Sequence, residues 1–125
     1  MTISEVSQRY QVTPDTLRYY EKEGLITDVN RTAGGVRNYT EQDCQQIEFI
    51  KCMRSAGLSI EVLRKYFELF KRGKRTLKAR HDLLMTEREQ LKARLTDLQS
   101  TLKRLDYKIS VYEKALSSKD KELKF

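Results

Sequence analysis

Apolar and polar positions follow two rhythms along this chain: short helical repeats cut by turn residues up to about residue 73, and one unbroken repeat after it. Ile3, Val6 and Tyr10 recur at helical spacing. They follow Thr2, which forms a capping-box pattern with Glu5, each side chain placed to satisfy the other's orphan amide. Thr13-Pro14-Asp15-Thr16 then signals a second helix. Threonine is a favoured N-cap, proline suits the first helical position, and aspartate complements the helix dipole. The pattern predicts this helix from Pro14 to about Glu23, with Gly24 as its stop. Two short helices joined by a tight turn make a helix-turn-helix.

Leu25-Ile26-Thr27 and Val36-Arg37-Asn38-Tyr39 are short β-prone runs around Gly34-Gly35, a hairpin signal. A helix-turn-helix followed by a hairpin is a winged helix in outline. Thr40 through Asp43 caps a third helix, with Ile47, Phe49, Ile50, Met53 and Ala56 on a wide apolar face up to Gly57. Ser59 begins a fourth, with Ile60, Leu63, Phe67 and Phe70 on one side. The basic connector Lys71-Arg72-Gly73-Lys74-Arg75 ends it.

Beyond the connector, Leu91, Leu95, Leu98, Leu102, Leu105, Ile109, Tyr112 and Leu116 keep a strict four-three alternation. Leu77, His81, Leu84 and Arg88 extend that seam backward. A helix of about forty residues spans about 60 Å at about 1.5 Å per residue. A core of this size cannot cover it, so the expected partner is a second copy meeting the chain through residues 77–116. His81 and Arg88 interrupt the seam, and that stretch is expected to pack against the partner's DNA-binding domain rather than to set register. The predicted class is mainly α: a winged helix-turn-helix over residues 1–73, a coiled-coil dimerisation helix over 74–118, and a frayed tail over 119–125.

Composition supports a small core with a long solvated surface, since 38% of the 125 residues are hydrophobic and 34% charged. The net charge of +7 makes an anionic partner plausible. Residues 1–40, however, hold five basic and five acidic groups, so net charge does not locate a DNA-binding face. Individual arginines must. No stretch approaches the roughly 18 uncharged apolar residues of a membrane span, and the N-terminus lacks a basic and an apolar region for export. With two cysteines, Cys44 and Cys52, too few for a disulfide framework, the expectation is a cytoplasmic chain with reduced thiols and no membrane partner.

The N-terminal turn of the second helix in a helix-turn-helix faces base edges. Thr16 and Tyr19 share a face there, and Arg18 suits a guanine or a phosphate. The competing reading makes Leu17 and one tyrosine core and pairs Arg18 with Asp15. Arg31 and Arg37, beside Tyr39 on a glycine-tipped hairpin, suit phosphate or minor-groove contact, and Arg54 offers a further phosphate contact. One histidine, no glycine-rich phosphate loop and no paired acid and base argue against an enzyme, and no cofactor or metal site is expected.

The run Thr13-Pro14-Asp15-Thr16-Leu17-Arg18-Tyr19-Tyr20-Glu21-Lys22-Glu23-Gly24-Leu25 closely resembles the recognition helix of MerR-family transcription regulators. The resemblance continues through Arg31, Arg37-Asn38-Tyr39, the Arg54-Ser55-Ala56-Gly57-Leu58-Ser59 segment and the long last helix. It implies a homodimer held by an antiparallel coiled coil. Such a dimer binds a pseudo-palindromic double-stranded promoter spacer, which it bends and untwists so that RNA polymerase engages both promoter elements. Carried over by position, the implied DNA contacts are Thr13, Thr16, Arg18, Tyr19, Arg31, Arg37, Tyr39 and Arg54.

Metal-sensing members carry cysteines at and after the dimerisation helix, which this chain lacks, and a chain ending at Phe125 is not expected to hold an appended drug-binding domain. Phe49-Ile50-Lys51-Cys52-Met53-Arg54 resembles the AdhR/NmlR branch, responsive to aldehyde and thiol stress, in which a cysteine at this position is the proposed sensor. Lys51 and Arg54 would favour the Cys52 thiolate, whereas neighbours Phe49, Met53 and Ala56 allow a small buried packing residue instead. Cys44, near a helix N-terminus, is the comparison thiol. Two other classes stay open: an effector-independent DNA-binding regulator with structural cysteines, and a coiled-coil protein-interaction module.

Overall fold

The computed structural model describes residues 1–26 and 29–118. Five α-helices run in chain order: α1 (Ile3–Tyr10), α2 (Pro14–Lys22), α3 (Glu41–Ser55), α4 (Ile60–Lys71) and α5 (Leu77–Ser118). A 3-10 turn, Lys74–Thr76, precedes α5.

The helix starts are those the side chains dictate. Thr2 and Thr40 each form a complete capping box, with Glu5 and Asp43 respectively. Thr13 and Ser59 cap α2 and α4 by accepting from the Thr16 and Val62 amides. At the end of α2, Gly24 turns left-handed at φ 76°. The Leu25 amide then donates to the Tyr20 carbonyl (2.9 Å) and the Gly24 amide to Glu21 (3.1 Å). That six-to-one and five-to-two pair is a Schellman stop, and it delivers Leu25 and Ile26 straight into the core.

The wing differs from the predicted hairpin. Leu25 and Ile26 are buried rather than paired, and among the described residues no strand forms. A single antiparallel bridge joins Arg31 and Arg37, supported by Thr32 donating to Val36 (2.7 Å) and Asn38 to Asn30 (2.6 Å). The turn closes through the Gly35 amide on the Thr32 carbonyl (2.9 Å), with Gly35 at φ 82°. The loop is therefore a wing held by one bridge, because the apolar run assigned to its first strand is consumed by the core. Thr27, assigned to that strand, and the tail over 119–125 lie outside the described residues.

Two compact units divide the chain, Met1–Glu87 and Arg88–Phe125. Val6, Leu17, Leu25, Ile47, Ile50 and Leu63 are almost fully enclosed in the core of the first. Phe49, Tyr66, Phe67 and Phe70 add an aromatic cluster across α3 and α4, with ring centroids 5.1–6.5 Å apart. α5 buries no residue at all. No helix among the described residues is long and apolar enough to cross a membrane.

Candidate nucleic-acid interface

The first turn of α2 is built around its cap. Thr13 Oγ1 accepts from the Thr16 amide (3.2 Å) and lies 2.8 Å from Thr16 Oγ1, so the two hydroxyls are locked side by side. One turn on, Leu17 and Tyr20 face the core while Arg18 and Tyr19 face out, Tyr19 44% exposed. The competing reading of this helix is thus correct about packing: Leu17 and one tyrosine are core, and Arg18 donates to Asp15 Oδ1 (2.8 Å). That pair is open to solvent on both sides, and exposed pairs are weak. It orients the guanidinium without withholding it from a partner.

The wing's two arginines are held differently. Arg31 Nη1 donates to the Gly35 carbonyl (3.0 Å), bracing the tip from within. Arg37 Nε donates to Glu21 Oε2 (2.8 Å), in a pair only about a fifth exposed, and this bond raises the Arg37 pKa further above its ordinary value. Glu21 lies on the last turn of α2, so it fixes the wing to the recognition helix. The opposite flank is tied by Arg64 of α4, which pairs with the Glu23 carboxylate and donates to the Glu23 carbonyl (3.3 Å).

Tyr39 stands apart from the other expected contacts. Its ring is only 3% exposed and its hydroxyl is covered, with no hydrogen-bond partner among the described residues. Burial pushes its pKa up, while Arg37 and Arg18 act in the opposite sense. The expectation of a surface contact by Tyr39 is therefore corrected for the single chain, because the ring belongs to the buried core. Arg54 is exposed and donates to the Leu58 carbonyl (3.0 Å), stabilising the turn after α3. Its charge also bears on Tyr20. Thr13, Arg18 and Tyr19 are thus exposed with Thr16 half-buried beside Thr13, and Arg37 is anchored to the same helix. Sequence reading missed Glu21 and Arg64 as positioning residues. Their partners lie 16 and 41 positions away, and no local spacing signals them.

The two thiols separate cleanly. Cys44 is buried, its Sγ 3.9 Å from Met1 Sδ, whereas Cys52 is exposed. A buried packing role for Cys52 is corrected, because Ile50 takes the core-facing position and Phe49 and Met53 only half cover the helix around it. Cys52 borders a depression of about 520 Å³ with Arg9, Glu48 and Lys51 on its walls. Lys51 is itself tethered, its Nζ donating to the Tyr10 carbonyl (2.6 Å).

A capped, solvent-facing second helix flanked by an arginine-bearing wing defines a helix-turn-helix DNA-binding module. Residues 1–69 match the MerR HTH family regulatory protein profile, and residues 44–107 match the MerR, DNA binding profile. The chain belongs to the MerR family of helix-turn-helix transcription regulators, a family of regulators and not of enzymes. It is 52% identical over 91 residues to the HTH-type transcriptional regulator AdhR of Bacillus subtilis, a match covering 73% of this chain and 65% of that protein, just under two thirds of its length. It is 35% identical over 99 residues to ZntR of Escherichia coli, covering 78% of this chain and 70% of the relative. Among solved structures, a putative MerR-family regulator from Listeria monocytogenes superposes with a TM-score of 0.90 at 44% identity, covering 94% and 89% of the two chains. HiNmlR, described as a MerR-family regulator lacking the sensor domain and bound to promoter DNA, gives 0.85 at 28% identity, covering 93% and 92%.

Proposed function

We propose that this protein binds a pseudo-palindromic promoter spacer as a homodimer and bends and untwists it, so that RNA polymerase meets both promoter elements. The observation that carries this reading is the outward face of α2, with Thr13, Arg18 and Tyr19 exposed and Thr16 half-buried, beside Arg31 and Arg37 on the adjoining wing. The likeness to a regulator solved on promoter DNA supports it. Residues 1–73 act as the DNA-binding part and 74–118 as an antiparallel dimerisation helix, since the seam of α5 lies exposed from Leu91 to Leu116. Arg54 supplies a phosphate contact from the end of α3. Gel-shift titration against a spacer duplex tests the reading. Binding should fall steeply with salt as phosphate contacts are screened, and weak, salt-insensitive binding that survives Arg18→Ala would favour the interaction-module alternative.

The signal enters at Cys52. Its thiolate adds to the carbonyl carbon of an aldehyde: a C–S bond forms, the carbonyl π bond opens, and the oxygen takes a proton to give a hemithioacetal. Exposure of the sulfur and the cationic Arg9 and Lys51 on the same depression support this assignment. Alkylation rates of the two thiols, read by peptide mass in the native protein, provide the check. Fast modification of Cys52 with Cys44 inert is expected, and a promoter response that persists in Cys52→Ser would leave the effector-independent alternative standing.

A further inference from the structure

A polar clasp joins the end of α4 to the start of α5. Past Lys71 the Arg72 amide donates to the Leu69 carbonyl (3.0 Å) and the Gly73 amide to the Phe70 carbonyl (3.1 Å). Gly73 then turns the chain at φ 81° and ψ −158°, a backbone region essentially closed to residues with a side chain. Thr76, only 7% exposed, returns to the end of α4. Its Oγ1 lies 2.7 Å from the Leu69 carbonyl and 2.8 Å from the Gly73 carbonyl, so one hydroxyl proton serves both. The same oxygen accepts from Arg80 Nε (3.0 Å), and Arg80 Nη2 donates to the Gly73 carbonyl (3.1 Å). The Arg80 guanidinium also stands 5.3 Å over the Phe70 ring of α4.

Two features mark this clasp as more than a local cap. The first turn of α5 holds no acidic residue and two basic ones, Lys78 and Arg80, although the helix dipole disfavours cations there. Arg80 offsets that cost by reaching back to two acceptors that precede the helix. Second, α5 buries none of its own residues, so the bonds of Thr76 and Arg80 weigh heavily in orienting its first turns. A long helix amplifies the angle at its base. From Leu77 to the middle of the seam, between Leu95 and Leu98, is about twenty residues, or about 30 Å. A change of about 7° at the base therefore displaces the DNA-binding part by about 3.5 Å relative to that midpoint, about one base-pair step of duplex.

We propose that Thr76 and Arg80 are positioning residues that determine which operator spacing this protein accepts. By fixing the angle at which α5 leaves α4, they set the separation and phase of the two recognition helices in the dimer. The length of spacer that both helices can engage at once follows from that separation. Neither side chain touches DNA in this role. The inference rests on the homodimer and promoter-spacer reading above.

A spacing series tests the clasp. Full-length protein is titrated against duplexes that carry the same two half-sites moved apart or together one base pair at a time, and the ratio of affinities between the best and the neighbouring spacings is read. Thr76→Val keeps the shape of the side chain and removes the hydroxyl, and Arg80→Gln removes the guanidinium. Each is expected to shrink that ratio about tenfold, or to move the best spacing by a base pair, as hydrogen bonds at the base of α5 are lost. Thr76→Ser restores the hydroxyl and should restore the profile of the unaltered protein. A variant that is merely less stable loses affinity on every duplex alike and keeps the ratio. An unchanged ratio in both Thr76→Val and Arg80→Gln therefore overturns the clasp while the spacer reading stands. A Thr76→Ser profile as broad as that of Thr76→Val overturns the role of the hydroxyl. If the unaltered protein binds every spacing, or a single half-site, equally well, the dimer reading has failed and the clasp with it.

Discussion

The first four helices and the fifth treat apolar side chains in opposite ways. Val6, Leu17, Leu25, Ile26, Ile47, Ile50 and Leu63 are at most 1% exposed, whereas Leu91, Leu95, Leu98, Leu102 and Leu105 are 40–67% exposed. The former arise from four short helices with closed caps and tight stops, which let apolar faces converge from several directions. The latter sit on one long helix that carries exposed ion pairs such as Lys78–Asp82 (3.1 Å) and Lys92–Glu89 (3.9 Å). Pairs of this kind contribute only a few tenths of a kcal/mol. The difference teaches that one region carries its own hydrophobic driving force and the other must borrow it from a second chain.

The largest effect should come from the borrowed core. Leu95→Asp combined with Leu98→Asp puts charges on the seam and should cost about a thousandfold in promoter affinity, about 4 kcal/mol, with a monomeric mass by analytical ultracentrifugation. Retention of a dimer by this variant would break the comparison. Next, Ile47→Ala opens a cavity in the self-sufficient core and should lower unfolding stability by about 3 kcal/mol in urea titration. An equal loss from a truncation confined to the exposed seam, measured on isolated monomer, would contradict the division.

Arg18→Ala touches neither core. Operator affinity should drop by about 2 kcal/mol, as for loss of one good base or phosphate contact, while the denaturation midpoint stays put. Thr40→Ala removes half of the α3 capping box and should destabilise by about 1 kcal/mol, with no change in DNA affinity beyond that unfolding explains. The smallest effect concerns the covered hydroxyl of Tyr39. Its pKa is raised in the folded state, so stability is intact below the unfolded value of about 10 and is lost as pH rises through the folded value. Tyr39→Phe should therefore flatten the alkaline end of the stability profile and, by removing a buried hydroxyl with no partner among the described residues, slightly raise neutral stability. A steeper alkaline loss in that variant would mean the ring is not packed as described.

Much of the fold was legible because it rests on short-range signals. Thr2 with Glu5, Thr13 with Pro14, Thr40 with Asp43 and Gly24 each lie within a few residues of the group they satisfy, so their spacing alone predicts helix starts and stops. The wing was legible as a turn at Gly34-Gly35 but misread as a hairpin, since Leu25 and Ile26 suit a strand and a core equally well. Burial decided between them. The exposed faces of Arg18 and Tyr19 followed from helical periodicity, whereas Tyr39 looked like a surface tyrosine until packing into the core removed it from view. Cys52 shows the reverse, with apolar neighbours in sequence and a solvent-facing position in space.

The sequence by itself determined the helices, their caps, the recognition segment and a seam that demands a partner, because these depend on groups three or four residues apart. Tertiary structure alone decided which polar groups meet across the chain. Arg37 finds Glu21, Lys51 finds the Tyr10 carbonyl, Arg64 finds Glu23, and the Gln46 carboxamide finds no partner among the described residues. The physical reason is reach: caps and periodicity act along the backbone, while ion pairs, buried hydroxyls and unfilled cavities depend on how distant faces come to rest against one another.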